Sequence, residues 1–324
     1  MARFDNKVVL VTGAANGIGR CMVERFLSEG VEGVVAVDIE CRTLKDVFAD
    51  ERRVRTIPCD ITDYNAVHRM VDEVIELFGR IDILMNNAGI SMKDGERYGM
   101  LTCPKEAWDS VVSTNLNGSF YVAQAVAQRM VKANTKGVIV NTSSNTFRFV
   151  PKYLGAYPAT KAAIAVFTKQ FAKELAEYGI RVNAFGPGTT LTRMSEPTRS
   201  NPEMNEQFLR DIPMHRYGEV REAVDVALFL ASEQSSFMLG GDYLRRWRSK
   251  PLRVRRDDDD KERDNGKATV RGQDRIGHRG RQRLGPGHGG SACERGRPGC
   301  RLRYRKGHDG GGGRTQRPPM APSL

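Results

Sequence analysis

No stretch of about 18 consecutive apolar residues occurs in this chain of 324 residues, so no membrane-spanning helix is expected. The N-terminal Met1-Ala2-Arg3-Phe4-Asp5 lacks the apolar core of a signal peptide. Cysteine pairing is missing as well. Cys21, Cys41, Cys59 and Cys103 are scattered, and Cys293 and Cys300 stand alone near the end. With no CxxC and no His/Cys cluster, a disulfide framework and a structural zinc are excluded, and a reducing, cytoplasmic setting is expected. An excess of one charge is also absent from most of the chain. The formal net charge of +12 is carried by residues 245–324, which hold 23 Lys and Arg against 9 Asp and Glu. Residues 1–244 hold 28 basic and 30 acidic residues, so this near-neutral body has no reason to seek nucleic acid.

What the body does contain is a glycine turn between a strand and a helix. The apolar run Val8-Val9-Leu10-Val11 leads into Thr12-Gly13-Ala14-Ala15-Asn16-Gly17-Ile18-Gly19, and a helical pattern follows from Arg20. Backbone N–H groups and the helix dipole then converge on one point, which suits a pyrophosphate. Gly13 allows the tight turn, Gly17 lets the phosphate approach, and Gly19 lets the helix pack on the strand.

Further along, short apolar runs alternate with helical patterns. Strands are expected at Val8–Val11, Val34–Val37, Val54–Ile57, Ile81–Met85, Val138–Val140 and Arg181–Ala184. Helices are expected at Gly19–Ser28, Ala66–Phe78, Trp108–Met130, Ala156–Glu177 and Ala223–Ser232. Strict alternation of this kind predicts an α/β fold, a doubly wound parallel sheet of the Rossmann type forming a single domain over 1–244.

Two groups of residues carry chemistry. Asp38 ends the second strand 19 residues after Gly19, where an acid accepts hydrogen bonds from the ribose hydroxyls of an adenosine. An acid there repels a 2′-phosphate, which favours NAD over NADP, although Arg42 nearby keeps NADP open. Asp60 follows the third strand and can accept from an adenine amino group or cap a helix. The second group is Tyr157 and Lys161, four residues apart at a helix start and so on one face. A neighbouring ammonium is expected to lower the phenol pKa toward neutrality and make Tyr157 an acid/base. Ser144 ends the fifth strand, at the ligand-bearing edge of an open sheet, and can hold a substrate oxygen. Ser143 is the neighbouring candidate for that task.

With these residues in order, and with Asn86-Asn87-Ala88-Gly89, Asn115 and Pro187-Gly188 followed by Thr192, the chain resembles the short-chain dehydrogenase/reductase family over residues of about 5–243. The resemblance implies a hydride transfer between NAD(H) and an alcohol or carbonyl substrate. It implies that Tyr157 exchanges the proton, Ser144 steadies the substrate oxygen, and Lys161 tunes Tyr157 and binds the nicotinamide ribose. It also implies that Asn115 anchors a water in the proton relay and that Asn87 braces the central strand. The implied cofactor set is Gly13, Asn16, Gly17, Ile18, Gly19, Asp38, Asp60, Ile61, Asn87, Ala88, Gly89, Tyr157, Lys161, Pro187, Gly188 and Thr192. The spacing of thirteen residues before Tyr157 selects Ser144 over Ser143. No metal is needed, because Ser144 and Tyr157 can donate to a developing alkoxide. A homodimer or homotetramer is the implied assembly. Phe147, with Phe149, Val150 and Tyr153, stands where small residues are usual and suggests an apolar substrate wall or a packing surface. Residues Thr189–Tyr217 are the expected mobile lid.

The family pattern closes on a last strand and a Val-Asp-Gly-Gly turn. Here Leu244-Arg245-Arg246-Trp247-Arg248 stands in that place, so the final strand is expected to be lost, with lowered stability and activity. Those five residues can be encoded CTT-CGT-CGA-TGG-CGG, and one base later the same letters read Phe-Val-Asp-Gly-Gly. Back-translation of Gly272 to Gly290 in the same shifted frame permits a second strand and TGxxxGxG loop. Residues 245–324 are therefore expected to be either a frame-shifted segment or a disordered Arg/Gly-rich tail, since their Gly, Arg and Asp257–Asp260 content cannot bury a core. Two other functions follow from these features: a cofactor-binding protein with little turnover, and a non-specific RNA binder acting through the tail.

Overall fold

The computed structural model describes residues 3–40, 46–91, 96–148 and 150–244. Arg42, Phe149 and the segment 245–324 lie outside the described residues. Seven parallel strands form one sheet in the order β3-β2-β1-β4-β5-β6-β7. The strands are β1 (Val8–Thr12), β2 (Gly33–Asp38), β3 (Val54–Pro58), β4 (Ile83–Asn86), β5 (Val138–Thr142), β6 (Arg181–Gly186) and β7 (Asp242–Leu244). The strand order reverses between β1 and β4, which opens a crevice outside their carboxyl ends.

The side-chain period of two divides the core between the sheet faces. Val9, Val11, Val34, Ala36, Ile83, Met85, Val138 and Val140 belong to one cluster. Leu10, Val35, Val37, Leu84 and Ile139 belong to the other. Helix α1 (Gly17–Ser28) covers the first face, where the fully buried Phe26 meets Phe4 edge-on at 4.8 Å. Helix α2 (Tyr64–Phe78) covers the second through Val67, Met70, Val71 and Val74. It starts at Asp63, whose carboxylate accepts from the Ala66 N–H at 3.0 Å, and stops at Gly79, left-handed at φ 75°.

The long helical pattern from Trp108 to Met130 is three segments. Helix α3 (Lys105–Val111) passes through a π-helical stretch, Val112–Gly118, into α4 (Ser119–Lys132). Gly118 lies so close to Ile61 that a Cβ there would sit 2.7 Å from the Ile61 side chain. The remaining helices are α5 (Tyr157–Leu175), α6 (Glu196–Arg199), α7 (Pro202–Asp211) and α8 (Val220–Ala231), the last packing beside α1. The fourth strand starts at Ile83, not Ile81; Ile81 is buried but precedes the ladder.

The expectation of a lost final strand is corrected. Asp242–Leu244 pair with Ala184–Gly186. The Asn183 side chain fixes the approach, accepting from the Gly241 N–H at 3.1 Å and donating to the Met238 carbonyl at 2.7 Å. Gly240, left-handed at φ 68°, donates to the Val182 carbonyl at 2.8 Å. Main-chain hydrogen bonds of this kind need no Val-Asp-Gly-Gly signature, so the strand begins without it.

Candidate active site

The glycine turn closes the β1 end of the crevice. Gly13 is left-handed at φ 66°, and a Cβ on it would lie 2.8 Å from the Ala88 Cα. Gly17 is left-handed at φ 53°, and a Cβ there would meet the Thr192 side chain at 3.3 Å. A Cβ on Gly19 would fall 2.0 Å from the Gly13 carbonyl oxygen, so the helix packs on the turn only because Gly19 has none. Ile18 packs partly buried against the core under this turn. Asn16 occupies the N-cap of α1, yet its side chain bonds to none of the first-turn amides, and no acid lies in that turn. The contrast with the Asp63 cap of α2 is informative. One helix start is sealed by its own side chain, and the other leaves its amides and dipole for an external anion.

Asp38, at the end of β2, turns one carboxylate oxygen to the Ala15 N–H at 2.9 Å and the other to the Glu40 N–H at 3.1 Å. These bonds hold the carboxylate at the mouth of the turn, where ribose hydroxyls of a nucleotide would reach it. Asp60 accepts from the Thr62 N–H at 2.9 Å and the Thr62 hydroxyl at 2.8 Å, so it shapes a turn, and the α2 cap falls to Asp63. The Ile61 side chain is buried against Gly118, which leaves its backbone as the part able to meet an adenine.

Across the crevice, Thr12 organises the loop after β4. Its hydroxyl accepts from the Asn87 and Ala88 N–H groups, both at 3.0 Å. The Asn87 amide donates to the Thr12 carbonyl at 3.1 Å, and its oxygen accepts from the Thr142 hydroxyl at 3.4 Å, so Asn87 ties together the ends of β1, β4 and β5. Gly89 follows; a Cβ on it would lie 3.2 Å from Asn115 Oδ1 and 3.4 Å from Lys161 Nζ. Asn115, fully buried in the π-helical stretch, accepts from the Ile90 N–H at 2.8 Å and donates to the Ile90 carbonyl at 2.9 Å. Its side chain is thus spent on fixing the loop. Any water that it anchors must be held by its main chain.

Ser144, Tyr157 and Lys161 converge at the end of β5. Pro158 is tolerated in the first turn of α5, where its missing N–H costs nothing, and Tyr157 and Lys161 share one face of that helix. The Lys161 ammonium lies 5.7 Å from the Tyr157 ring centre and donates to the Thr142 carbonyl at 2.8 Å. Its side chain is 3% exposed, and burial pulls its pKa down to about 8. Tyr157 is half-buried by surface area but enclosed by protein, and burial pushes its pKa up, with the Ser144 hydroxyl acting in the opposite direction. The expected lowering of the Tyr157 pKa is therefore corrected: burial disfavours the charged forms of both Tyr157 and Lys161, and the Ser144 hydroxyl offsets only part of the rise at Tyr157. Tyr157 stands at neutral pH as a protonated donor beside Ser144.

The Lys161 shift has a testable consequence for stability. Its folded pKa, about 8, lies below the ordinary 10.5, so the unfolded chain binds the extra proton between those values. Stability contributed at this position therefore rises with pH through that window. Lys161→Met removes the dependence. Urea unfolding at pH 7 and pH 9.5 is expected to show the wild type gaining on the variant at the higher pH.

Comparison with known proteins shows the family. Residues 13–244 match the family model described as enoyl-(acyl carrier protein) reductase. A 3-oxoacyl-[acyl-carrier-protein] reductase of Thermotoga maritima is 38% identical over 243 residues, covering 74% of this chain and 95% of that protein. The chain belongs to the short-chain dehydrogenase/reductase family.

Other relatives of this oxidoreductase family include an NAD-dependent glycerol dehydrogenase of Listeria innocua, 36% identical over 239 residues, covering 73% of this chain and 91% of that one. The crystal structure of an NAD+-bound xylitol dehydrogenase superimposes with a TM-score of 0.69 at 32% identity, covering 75% of this chain and 98% of that one.

Within this dehydrogenase/reductase fold, the two serines divide their tasks. The fully buried Ser143 hydroxyl donates to Asp242 of β7 at 2.5 Å, whereas the Ser144 hydroxyl is the one hydrogen-bonded to Tyr157. Burial raises the Asp242 pKa, countered by the Ser143 bond and by the charges of Arg148 and Lys169. A buried amide chain, Asn86 to Asn141 at 3.0 Å and Asn141 to Thr168 at 3.0 Å, stiffens the strands beneath the site. Sequence reading missed Asn141, Thr168 and Asp242; for Asn141, a polar residue inside an otherwise apolar strand was the available signal.

The expected lid holds two short helices, α6 and α7. Pro187 and Gly188 lead into it from β6, and Thr192 hangs over Gly17. Arg97, from the loop before α3, donates to the Thr198 hydroxyl at 2.9 Å and lies 5.8 Å over the Phe208 ring. The Arg97 side chain thus ties the lid to the loop before α3. Val150 and Tyr153 of the suggested apolar wall are exposed, and Arg148 lies over Phe147 at 5.7 Å. Among the described residues no helix is long and apolar enough to cross a membrane, and no His/Cys/Asp/Glu group is arranged to hold a metal.

Proposed function

We propose that this chain is an NAD(H)-dependent dehydrogenase/reductase that interconverts an alcohol and a carbonyl compound, with Tyr157 as its acid/base. The observation that carries the reading is the convergence of Ser144, Tyr157 and Lys161 beside a crevice whose opposite wall is the uncapped start of α1. The glycine turn fits a dinucleotide: its three glycines sit where side chains would fill the cradle or break its packing. Gly13, Asn16, Gly17, Ile18 and Gly19 would hold the pyrophosphate. Asp38 would hold the adenosine ribose, Asp60 and the Ile61 backbone the adenine. Asn87, Ala88, Gly89, Lys161, Pro187, Gly188 and Thr192 would flank the nicotinamide half. When bound, the nicotinamide supplies or accepts the hydride.

The chain's own residues handle the proton and the developing charge. In reduction, the protonated Tyr157 phenol donates to the substrate oxygen while the Ser144 hydroxyl holds that oxygen in place. In oxidation, the same oxygen returns its proton to Tyr157. Lys161, anchored on the Thr142 carbonyl, would supply positive charge to a forming phenolate and would help hold the nicotinamide ribose. Asn115 fixes the Ile90 loop against this group, and a water of the relay would be held by its main chain.

Asp38 supports NAD as the cofactor, because a 2′-phosphate would meet its carboxylate. The NAD-dependent relative and the NAD+-bound neighbour support the same choice. Their names, with that of the oxoacyl reductase, make polyols and 3-oxoacyl thioesters the first substrates to try. Initial rates with NADH and NADPH across such a panel test the reading. A kcat/KM at least about tenfold higher with NADH is expected, equal to about 1.4 kcal/mol of discrimination. A preference for NADPH would reject the role given to Asp38.

The lid link gives a separate expectation. Arg97→Ala frees Thr198 and Phe208 and loosens the substrate side without touching the nucleotide cradle. Loss of a hydrogen bond to a charged group is worth about 1.5–3 kcal/mol where it is partly buried, so a rise in substrate KM of about tenfold is expected. The NADH dissociation constant should stay unchanged in a fluorescence titration.

A further inference from the structure

A last strand, β7, belongs to the fold. β7 is in register with β6, Ala184 opposite Asp242, Phe185 opposite Tyr243 and Gly186 opposite Leu244, and Tyr243 packs on the core cluster beneath α8. Directly after Leu244 the sequence becomes Arg245-Arg246-Trp247-Arg248, and its charge changes from near balance to 23 basic against 9 acidic residues. Read one base later, codons for Leu244–Arg248 can give Phe-Val-Asp-Gly-Gly. That continues β7 with two apolar residues and closes it in a glycine turn.

The same shift over Gly272 to Gly290 permits Val-Lys-Thr-Ala-Leu-Val-Thr-Gly-Ala-Ala-Ser-Gly-Leu-Gly-Arg-Ala-Met-Ala. Over Leu10–Arg20 this string repeats the chain's own Leu10, Val11, Thr12, Gly13, Ala14, Ala15, Gly17, Gly19 and Arg20 and differs at Asn16 (Ser) and Ile18 (Leu); outside that stretch it keeps Lys7 and Met22 and differs at Asn6, Val8, Val9, Cys21 and Val23. In each shifted codon the first base comes from one residue's middle base and the third from the next residue's first base. The middle base is the wobble base and is free at most of these Gly and Arg codons, so the constraint lies in the first and third bases, and these fit throughout the string. The positions retained are those the structure cannot do without. Gly13 and Gly17 are left-handed, Gly19 has the Gly13 carbonyl where a Cβ would go, and the Thr12 hydroxyl gathers two loop amides.

We propose that a one-base change of frame at Tyr243–Leu244 separates this domain from a second strand, glycine turn and helix, and that the unbroken gene encodes a tandem protein with a second site for a dinucleotide pyrophosphate. The nature of that ligand rests on the NAD reading of the first site; the frame does not.

The test is the nucleotide sequence of gene and transcript across codons 236–310, followed by equilibrium dialysis of NADH against the protein expressed with the frame restored. The expected result is a shifted frame free of stop codons that spells the two strings above, and two NADH bound per chain. A stop codon, or wobble bases that spell other residues, would overturn the proposal. One NADH per chain from the restored frame would overturn the second site. No NADH at either site would reject the nucleotide reading of both domains, with the frame still decided by the codons.

Discussion

Tyr157→Phe is expected to lower kcat by about two to four orders of magnitude, the range a positioned general acid/base contributes. NADH affinity should be unchanged. The substitution removes one oxygen from a ring that packs with Val111, Ala156 and Trp108 and keeps the ring's volume, so the fold has no cause to respond. What is lost is the proton donor beside Ser144. The protonated state is set by burial, which pushes the Tyr157 pKa up, and this fits a group that donates to a carbonyl oxygen at neutral pH. Steady-state kinetics and a fluorescence titration separate the two effects. Undiminished turnover would remove Tyr157 from the chemistry, whereas lost NADH binding would make its role structural.

Gly19→Ala is expected to damage the nucleotide site severely. A single methyl group would have to occupy a point 2.0 Å from the Gly13 carbonyl oxygen, 2.7 Å from the Gly13 carbonyl carbon and 2.8 Å from Asn87 Nδ2. Two of those atoms are backbone, so the turn or the helix must move. Overpacking costs about 1–3 kcal/mol even where side chains can yield, and the upper end applies here. If that cost falls on the bound geometry, NADH affinity drops about a hundredfold. The same titration measures it, with thermal unfolding as the companion readout. Gly79→Ala is the comparison: unlike Gly19 it is left-handed, at φ 75°, but nothing lies within 4 Å of its Cβ position, and it ends α2. It should cost stability and spare NADH binding. Equal loss of binding in both variants would mean that the damage is general.

The strand-and-helix alternation was legible because it is written in apolar periodicity. Val9 and Val11 against Leu10 mark the two faces of β1, and the same division recurs in β2, β4 and β5. The Thr12–Gly19 turn and the Tyr157–Lys161 pair were legible because their chemistry depends on residue type at fixed spacing. Three features were hidden for physical reasons. The π-helical stretch Val112–Gly118 keeps the composition of its flanking helices, so the pattern runs through it unbroken. β7 is three residues held by main-chain bonds and by Asn183, a residue 58 positions from Gly241 in sequence. The direction of the Tyr157 shift depends on how many atoms enclose it, which spacing on one helix does not reveal. That Ser143 is bonded to Asp242, 99 positions away in sequence, was likewise not written in the spacing around the two adjacent serines.

Hydride transfer to a substrate carbon beside Tyr157 is the central claim, and deuterium tests it most directly. The protein is incubated with NADH deuterated at the transferring position of the nicotinamide and a panel of ketoses and 3-oxoacyl thioesters. The products are then analysed by mass spectrometry and NMR. The account predicts deuterium at the new carbinol carbon of at least one product from the wild type and none from Tyr157→Phe over the same time. NADH that binds to the wild type while no panel member acquires deuterium, or equal labelling by the two proteins, would contradict it.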